Sequence, residues 1–106
     1  MAVKFEVCED KLIIFLSGEI DHHSATQIRN EADIKITQMQ PSEVELDFGG
    51  VSFMDSSGIG LIMGRYRVIM SYGGVLSISN VSAYLKRVMR LAGIDSIIQI
   101  KSEKEN

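Results

Sequence analysis

Residues 43–79 restrict the fold most. Two runs of alternating apolar residues, at 43–48 and 75–79, flank a stretch whose apolar side chains recur at helical spacing from Ile59 to Tyr72. Gly49-Gly50 and Gly73-Gly74 mark the two changes of period. A strand, a helix and a strand in that order imply parallel neighbouring strands joined by a right-handed crossover. The helix must then lie on the sheet.

The rest of the chain extends this unit in both directions. Residues 3–8 alternate, Glu9-Asp10 makes a turn, and residues 11–17 are rich in branched apolar side chains, so the chain opens with a hairpin. A polar loop, 18–23, leads to a first helix over about 24–38 with Ala25, Ile28, Ala32, Ile36 and Met39 on its core side. Ser24 and Gln27 are spaced as its capping box, and Pro41-Ser42 ends it. Residues 43–48 form the third strand, Gly49-Gly50 breaks it, and 75–79 form the fourth. Residues 80–82 offer caps for a third helix that buries Leu85, Val88, Met89 and Ala92 and closes at Gly93. A last strand over 97–100 precedes a charged tail, 101–106, expected to fray. The order is β-β-α-β-α-β-α-β. This predicts one α/β domain over residues 1–106, with a mixed sheet and helices on at least one face.

The third strand's carboxyl end is where the chemistry gathers. An apolar run stops at Met54, and Asp55, Ser56 and Ser57 follow, all good caps for the helix beyond. A phosphate there would meet free amides and the positive end of the helix dipole, so modification should leave the helix intact. It would still place nearly two negative charges beside Asp55, where a docked partner would feel them. The residues alone leave Asp55, Ser56 and Ser57 open as the active position. Gly58, Gly60 and Gly64 weaken the helix by about 1 kcal/mol each relative to alanine, which suggests close approach by another group.

Rotating that helix at 100° per residue gathers Ile59, Ile62, Met63, Tyr66, Ile69 and Met70 on one side, an expected core face. Leu61, Val68 and Tyr72 lie opposite, with Arg65 and Gly64 beside them. This second apolar strip is expected to dock a partner. On that reading Leu61→Asp abolishes partner binding without unfolding the domain.

Composition excludes several classes. With 106 residues, 45% hydrophobic and 24% charged, the chain can bury a normal core. A net charge of −3 and a pI near 5.3 argue against a nucleic-acid binder. The dense cations, Arg65, Arg67, Lys86, Arg87 and Arg90, all fall on predicted helices, as a solvated face or a match for an acidic partner. The longest apolar run, 12–16, is far short of the roughly 20 residues that span a bilayer. The chain starts directly in a strand pattern, so no signal peptide and a cytoplasmic location are expected. Cys8, the sole cysteine, allows no intramolecular disulfide and is expected as a small apolar filler on the outer side of the first strand.

No catalytic constellation emerges. The Gly-x-Ser-x-Gly of a nucleophile elbow is absent around Ser56 and Ser57, and His22 and His23 are the only histidines. Adjacent histidines diverge and leave a metal set incomplete. Gly58, Gly60 and Gly64 lack the Gly-Lys-Ser/Thr ending of a phosphate loop. No enzyme activity, cofactor or metal is expected.

Two motifs, Gly18-Glu19-Ile20-Asp21-His22-His23 and Phe53-Met54-Asp55-Ser56-Ser57-Gly58-Ile59-Gly60, with Gly64-Arg65-Tyr66 beyond, carry a family resemblance. The chain resembles the anti-sigma factor antagonists of the STAS domain class, most of all the sporulation members that control a forespore sigma factor. The resemblance implies a protein-binding switch without catalysis. The unphosphorylated protein would bind an anti-sigma factor that is also a serine kinase, and the sigma factor would be released. The kinase would use ATP to phosphorylate the first serine after the motif's aspartate, here Ser56, and a serine phosphatase would reverse it. Asp21 matches the family's aspartate at the kinase interface. Asp55, Ser57, Gly58, Leu61, Arg65, Val68 and Tyr72 complete the expected partner surface. The competing expectation is a STAS scaffold in a stress-signalling assembly, served by a different kinase.

Overall fold

The computed structural model describes residues 2–103. Strands β1 (Ala2–Cys8) and β2 (Lys11–Ile20) pair antiparallel across a turn in which Glu9 takes φ 56°. Strands β3 (Glu43–Met54), β4 (Val75–Val81) and β5 (Gln99–Ser102) then add in parallel, giving the spatial order β1-β2-β3-β4-β5. Helices α1 (His22–Met39), α2 (Ser56–Ser71) and α3 (Ala83–Leu91) make the crossovers, with a single 3-10 turn at Ile94–Ser96. The predicted α/β class, mixed sheet and element order all hold.

Register explains where the core sits. Leu12, Val44 and Leu76 form one rung across the parallel strands and Ile14, Leu46 and Ile78 the next, all of them buried. The three crossovers step the same way across the sheet, and right-handed connections then put all three helices on that one face. Among the described residues nothing forms a covering layer on the other face. Lys11, Ile13 and Phe15 stay half exposed on it, and Glu45 is held there by Lys11 Nζ at 2.9 Å and by the Ser79 hydroxyl at 2.6 Å. Cys8 points to this bare side, as its place on the other face of the first strand implied, but it is exposed and so fills no apolar space.

Several boundaries differ from the expectation. Gly49-Gly50 does not end β3, which runs on to Met54. Between Phe15↔Asp47 and Ser17↔Gly50 the pairing gains a residue on β3, a bulge absorbed at the glycines. A Cβ on Gly50 would lie 2.8 Å from Ser17 Cβ and 3.0 Å from the Leu16 carbonyl, so only glycine allows this approach. The first helix begins earlier, at His22, because Asp21 and not Ser24 is its cap. The last strand is displaced to 99–102 because the 3-10 turn takes up 94–96. Lys101 and Ser102 therefore belong to the strand instead of fraying, Ser102 pairs with Val81, and the Glu103 amide donates to the Val81 carbonyl at 2.9 Å. Residues 104–106 of the tail lie outside the described part. No helix among the described residues is long and apolar enough to cross a membrane.

Candidate functional site

The bulged β3 and the neighbouring β2 end side by side. Ile20 pairs with Met54, and the Asp55 amide donates to the Ile20 carbonyl at 3.1 Å. The next residue on each strand is an aspartate that starts a helix. Asp21 Oδ1 accepts from the Ser24 amide at 2.9 Å, while Ser24 Oγ accepts from the Asp21 amide at 3.0 Å and donates to the Glu19 carbonyl at 2.9 Å. This reciprocal cap satisfies two free amides at once. Asp55 Oδ1 accepts from the Ser57 amide at 2.8 Å, and the Asp55 carbonyl takes the Gly58 amide at 2.9 Å. The hydrogen bond from the Ser24 amide holds the exposed Asp21 carboxyl below the usual aspartate value; desolvation opposes it, and the Ser24 hydroxyl and contacts with His23 add to it.

Ser56 is the first residue of α2 and is exposed, whereas Ser57 is half-buried. Ser57 turns toward α1 and lines a cleft of about 270 Å³ with His22, Ala25, Thr26, Arg29, Gly60 and Leu61. The two helix starts thus form opposite walls of one cleft, with the Ser56 hydroxyl outside it. His22 and His23 sit on the exposed first turn of α1, and among the described residues no cluster of three metal-ligating side chains occurs.

The expected outward strip on α2 turns inward. Leu61 is 5% exposed and Arg65 4%, Val68 is half-buried, and the Tyr72 hydroxyl donates to the Pro41 carbonyl at 2.8 Å. The buried set is Gly58, Leu61, Ile62, Arg65 and Ile69, which rotates the helix by about 80° from the hydropathy reading. The physical reason is α1. Arg65 Nε lies 2.8 Å from Asp33 Oδ1 on that helix, so the arginine works as an interior residue. Burial lowers its guanidinium pKa, Asp33 opposes this, and nearby Arg29 and Arg67 add to the lowering. Leu61 is consequently covered by the chain itself and Val68 and Tyr72 are half-buried, while on the other side Met70 is exposed and Ile59, Met63 and Tyr66 are half-buried at the core's edge.

The glycines divide by role. A Cβ at Gly58 would run into the buried Met54 side chain, whereas Gly60 and Gly64 have nothing within 4 Å of such an atom. Close packing by the chain accounts for the first only. Three contributors escaped the sequence reading: Ser24 as a buried hydroxyl, 6% exposed, that locks the Asp21 cap; Arg29 in the cleft; and Asp33 as partner of Arg65. Asp21 followed three residues later by Ser24 was a visible capping signal. Nothing local marks Asp33.

With this geometry in hand, comparison with known proteins is decisive. A STAS domain model matches residues 2–106. The chain belongs to the STAS domain family. Among STAS relatives, the anti-sigma F factor antagonist of Paenibacillus polymyxa is 33% identical over 106 residues, covering 100% of this chain and 91% of that protein. The anti-sigma-B factor antagonist of Bacillus subtilis (strain 168) is 30% identical over 97 residues, covering 92% and 87%. The anti-sigma factor antagonist SpoIIAA in its unphosphorylated form superposes with a TM-score of 0.82 at 33% identity, over 96% of this chain and 90% of that one. The Bacillus cell fate determinant SpoIIAA in its phosphorylated form gives 0.74 at 33% identity, over 96% and 93%.

Proposed function

We propose that this STAS domain is a cytoplasmic anti-sigma factor antagonist of the sporulation type. Its unphosphorylated form binds an anti-sigma factor that is also a serine kinase, and the sigma factor is released. The Ser56 oxygen then attacks the γ-phosphorus of ATP held by that kinase, ADP leaves, and the hydroxyl proton passes to a base on the kinase. A phosphatase returns the serine by hydrolysis. The domain is the substrate of this cycle and supplies no catalysis of its own.

The observation that carries this reading is the exposed Ser56 at the start of α2, directly after the Asp55 cap. Its neighbour Ser57 is half-buried in the cleft wall, so Ser56 is the hydroxyl that a kinase can reach. Phosphate on Ser56 would add charge beside Asp21 and Asp55 while α2 keeps its cap. The partner surface therefore comprises Asp21, Asp55, Ser56 and Ser57. Gly58, Leu61, Arg65, Val68 and Tyr72 support it from below by fixing α2 against its neighbours. Solved relatives named in both unphosphorylated and phosphorylated forms support the same cycle.

The test is to incubate the protein with its candidate anti-sigma kinase and ATP and map phosphate by mass spectrometry in wild type, Ser56→Ala and Ser57→Ala. Phosphate confined to Ser56, together with lost binding to the ADP form of the kinase, is the expected result. Phosphate on Ser57, or phosphorylation that leaves binding intact, overturns the mechanism. Absence of phosphate favours a scaffold role.

A further inference from the structure

The rotation of α2 leaves an apolar wall facing away from α1. It carries Ile59, Met63, Tyr66 and Met70; the first three are half-buried at the core's edge and Met70 is 51% exposed. Strand order and crossover handedness place α3 on that side of α2. On α3, Lys86 Nζ donates to Ser102 Oγ at 2.9 Å, which turns that side toward β5. The side opposite Lys86, toward α2, carries Tyr84, Val88 and Leu91, with Tyr84 53% and Leu91 82% exposed. Helix α2 packs closely on α1 but only sparsely on α3. Two apolar walls therefore border the space between α2 and α3, a candidate groove.

Its charge is unlike the rest of the molecule. The chain has 14 acidic residues and a net charge of −3, yet neither α2 nor α3 contains an aspartate or glutamate. Arg65, Arg67, Lys86, Arg87 and Arg90 all lie on these two helices. Arg65 is committed to Asp33 and Lys86 to Ser102. Arg67, Arg87 and Arg90 are exposed, and Arg67 and Arg87 fall on the helix crests that point away from the sheet.

We propose that this groove docks an acidic amphipathic helix of a partner protein. Apolar walls flanked by unpaired arginine crests match a helix whose apolar stripe enters the groove and whose flanking carboxylates meet the arginines. From Ile59 to Met70 the wall runs for roughly 16 Å, about three turns of such a helix. The apolar residues run in two lines along the helices between the arginine crests, a layout that suits an elongated segment better than a flat bilayer. The inference does not rest on phosphorylation of Ser56.

The probe is a synthetic 21-residue peptide with leucine and phenylalanine at positions repeating by three and four and glutamate on its flanks. It is titrated into the full chain while methyl NMR follows Met63, Met70, Val88 and Leu91. Saturable shifts confined to these methyls are expected, with at least tenfold weaker binding to Arg67→Glu/Arg87→Glu and to Leu91→Ser, both exposed positions whose exchange leaves the melting curve unchanged. Equal binding of a scrambled peptide of the same composition, or of its lysine-for-glutamate counterpart, overturns the proposal. Absence of shifts at these methyls overturns it too, as does binding only to phosphatidylglycerol vesicles.

Discussion

Asp21 and Asp55 each spend a carboxylate oxygen on an amide in the first turn of a helix, and that use determines how each responds to change. Because the Asp21 carboxyl sits below its usual value in the folded protein, its contribution is fully present above the unfolded aspartate value of about 4 and disappears only as pH falls through the lower folded value. Asp21→Ala should therefore lower the urea midpoint at pH 7, and the gap from wild type should close as the titration is carried well below pH 4. A gap that closes already at pH 5 would assign the effect to another group. The glycines of α2 predict opposite signs for one substitution. Gly58→Ala forces the new methyl against Met54 and destabilises, by roughly 1–3 kcal/mol for an overpacked site. Gly64→Ala meets open space within a helix and stabilises by about 1 kcal/mol. Denaturant unfolding of the two variants checks both signs.

At the scale of an element, α2 has its buried face set by two neighbours, the sheet through Ile62 and Ile69 and α1 through Leu61 and Arg65. Leu61→Ala should cost about 2–5 kcal/mol, and Leu61→Asp more, since a carboxylate would be buried beside α1 without a partner. This reverses the expectation that Leu61→Asp leaves a folded protein unable to bind; a well-dispersed NMR spectrum for Leu61→Asp would restore it. The orientation was hidden because hydropathy counts an arginine as solvent-facing. Arg65 goes inside because Asp33 meets it, and that pairing spans two elements with no signal in either. The caps at Asp55 and Ser82 were legible, since a cap is decided by a few consecutive residues. Gly49-Gly50 was misread for a related reason. The same dipeptide serves as a strand end or a bulge, and the partner at Ser17 makes the choice.

For the whole molecule, the strand-helix alternation was legible because one physical cause produces it: every strand and every helix presents its apolar period to a single shared layer. What the pattern left open was whether the second face of the sheet is covered, and the half-exposed Ile13, Phe15 and Glu45 answer that. The bare face also gives the protein a back. Cys8, its sole thiol, lies there at the end of β1, beside the start of β2, while Ser56 and Ser57 follow the far end of β3, where β2 also ends. Ten residues of strand, roughly 30 Å, separate the two. A maleimide dye or a surface tether on that thiol would hold every molecule in one orientation, helices outward. Partner arrival at the serines and at the α2–α3 groove would then be read by a reporter that neither site touches.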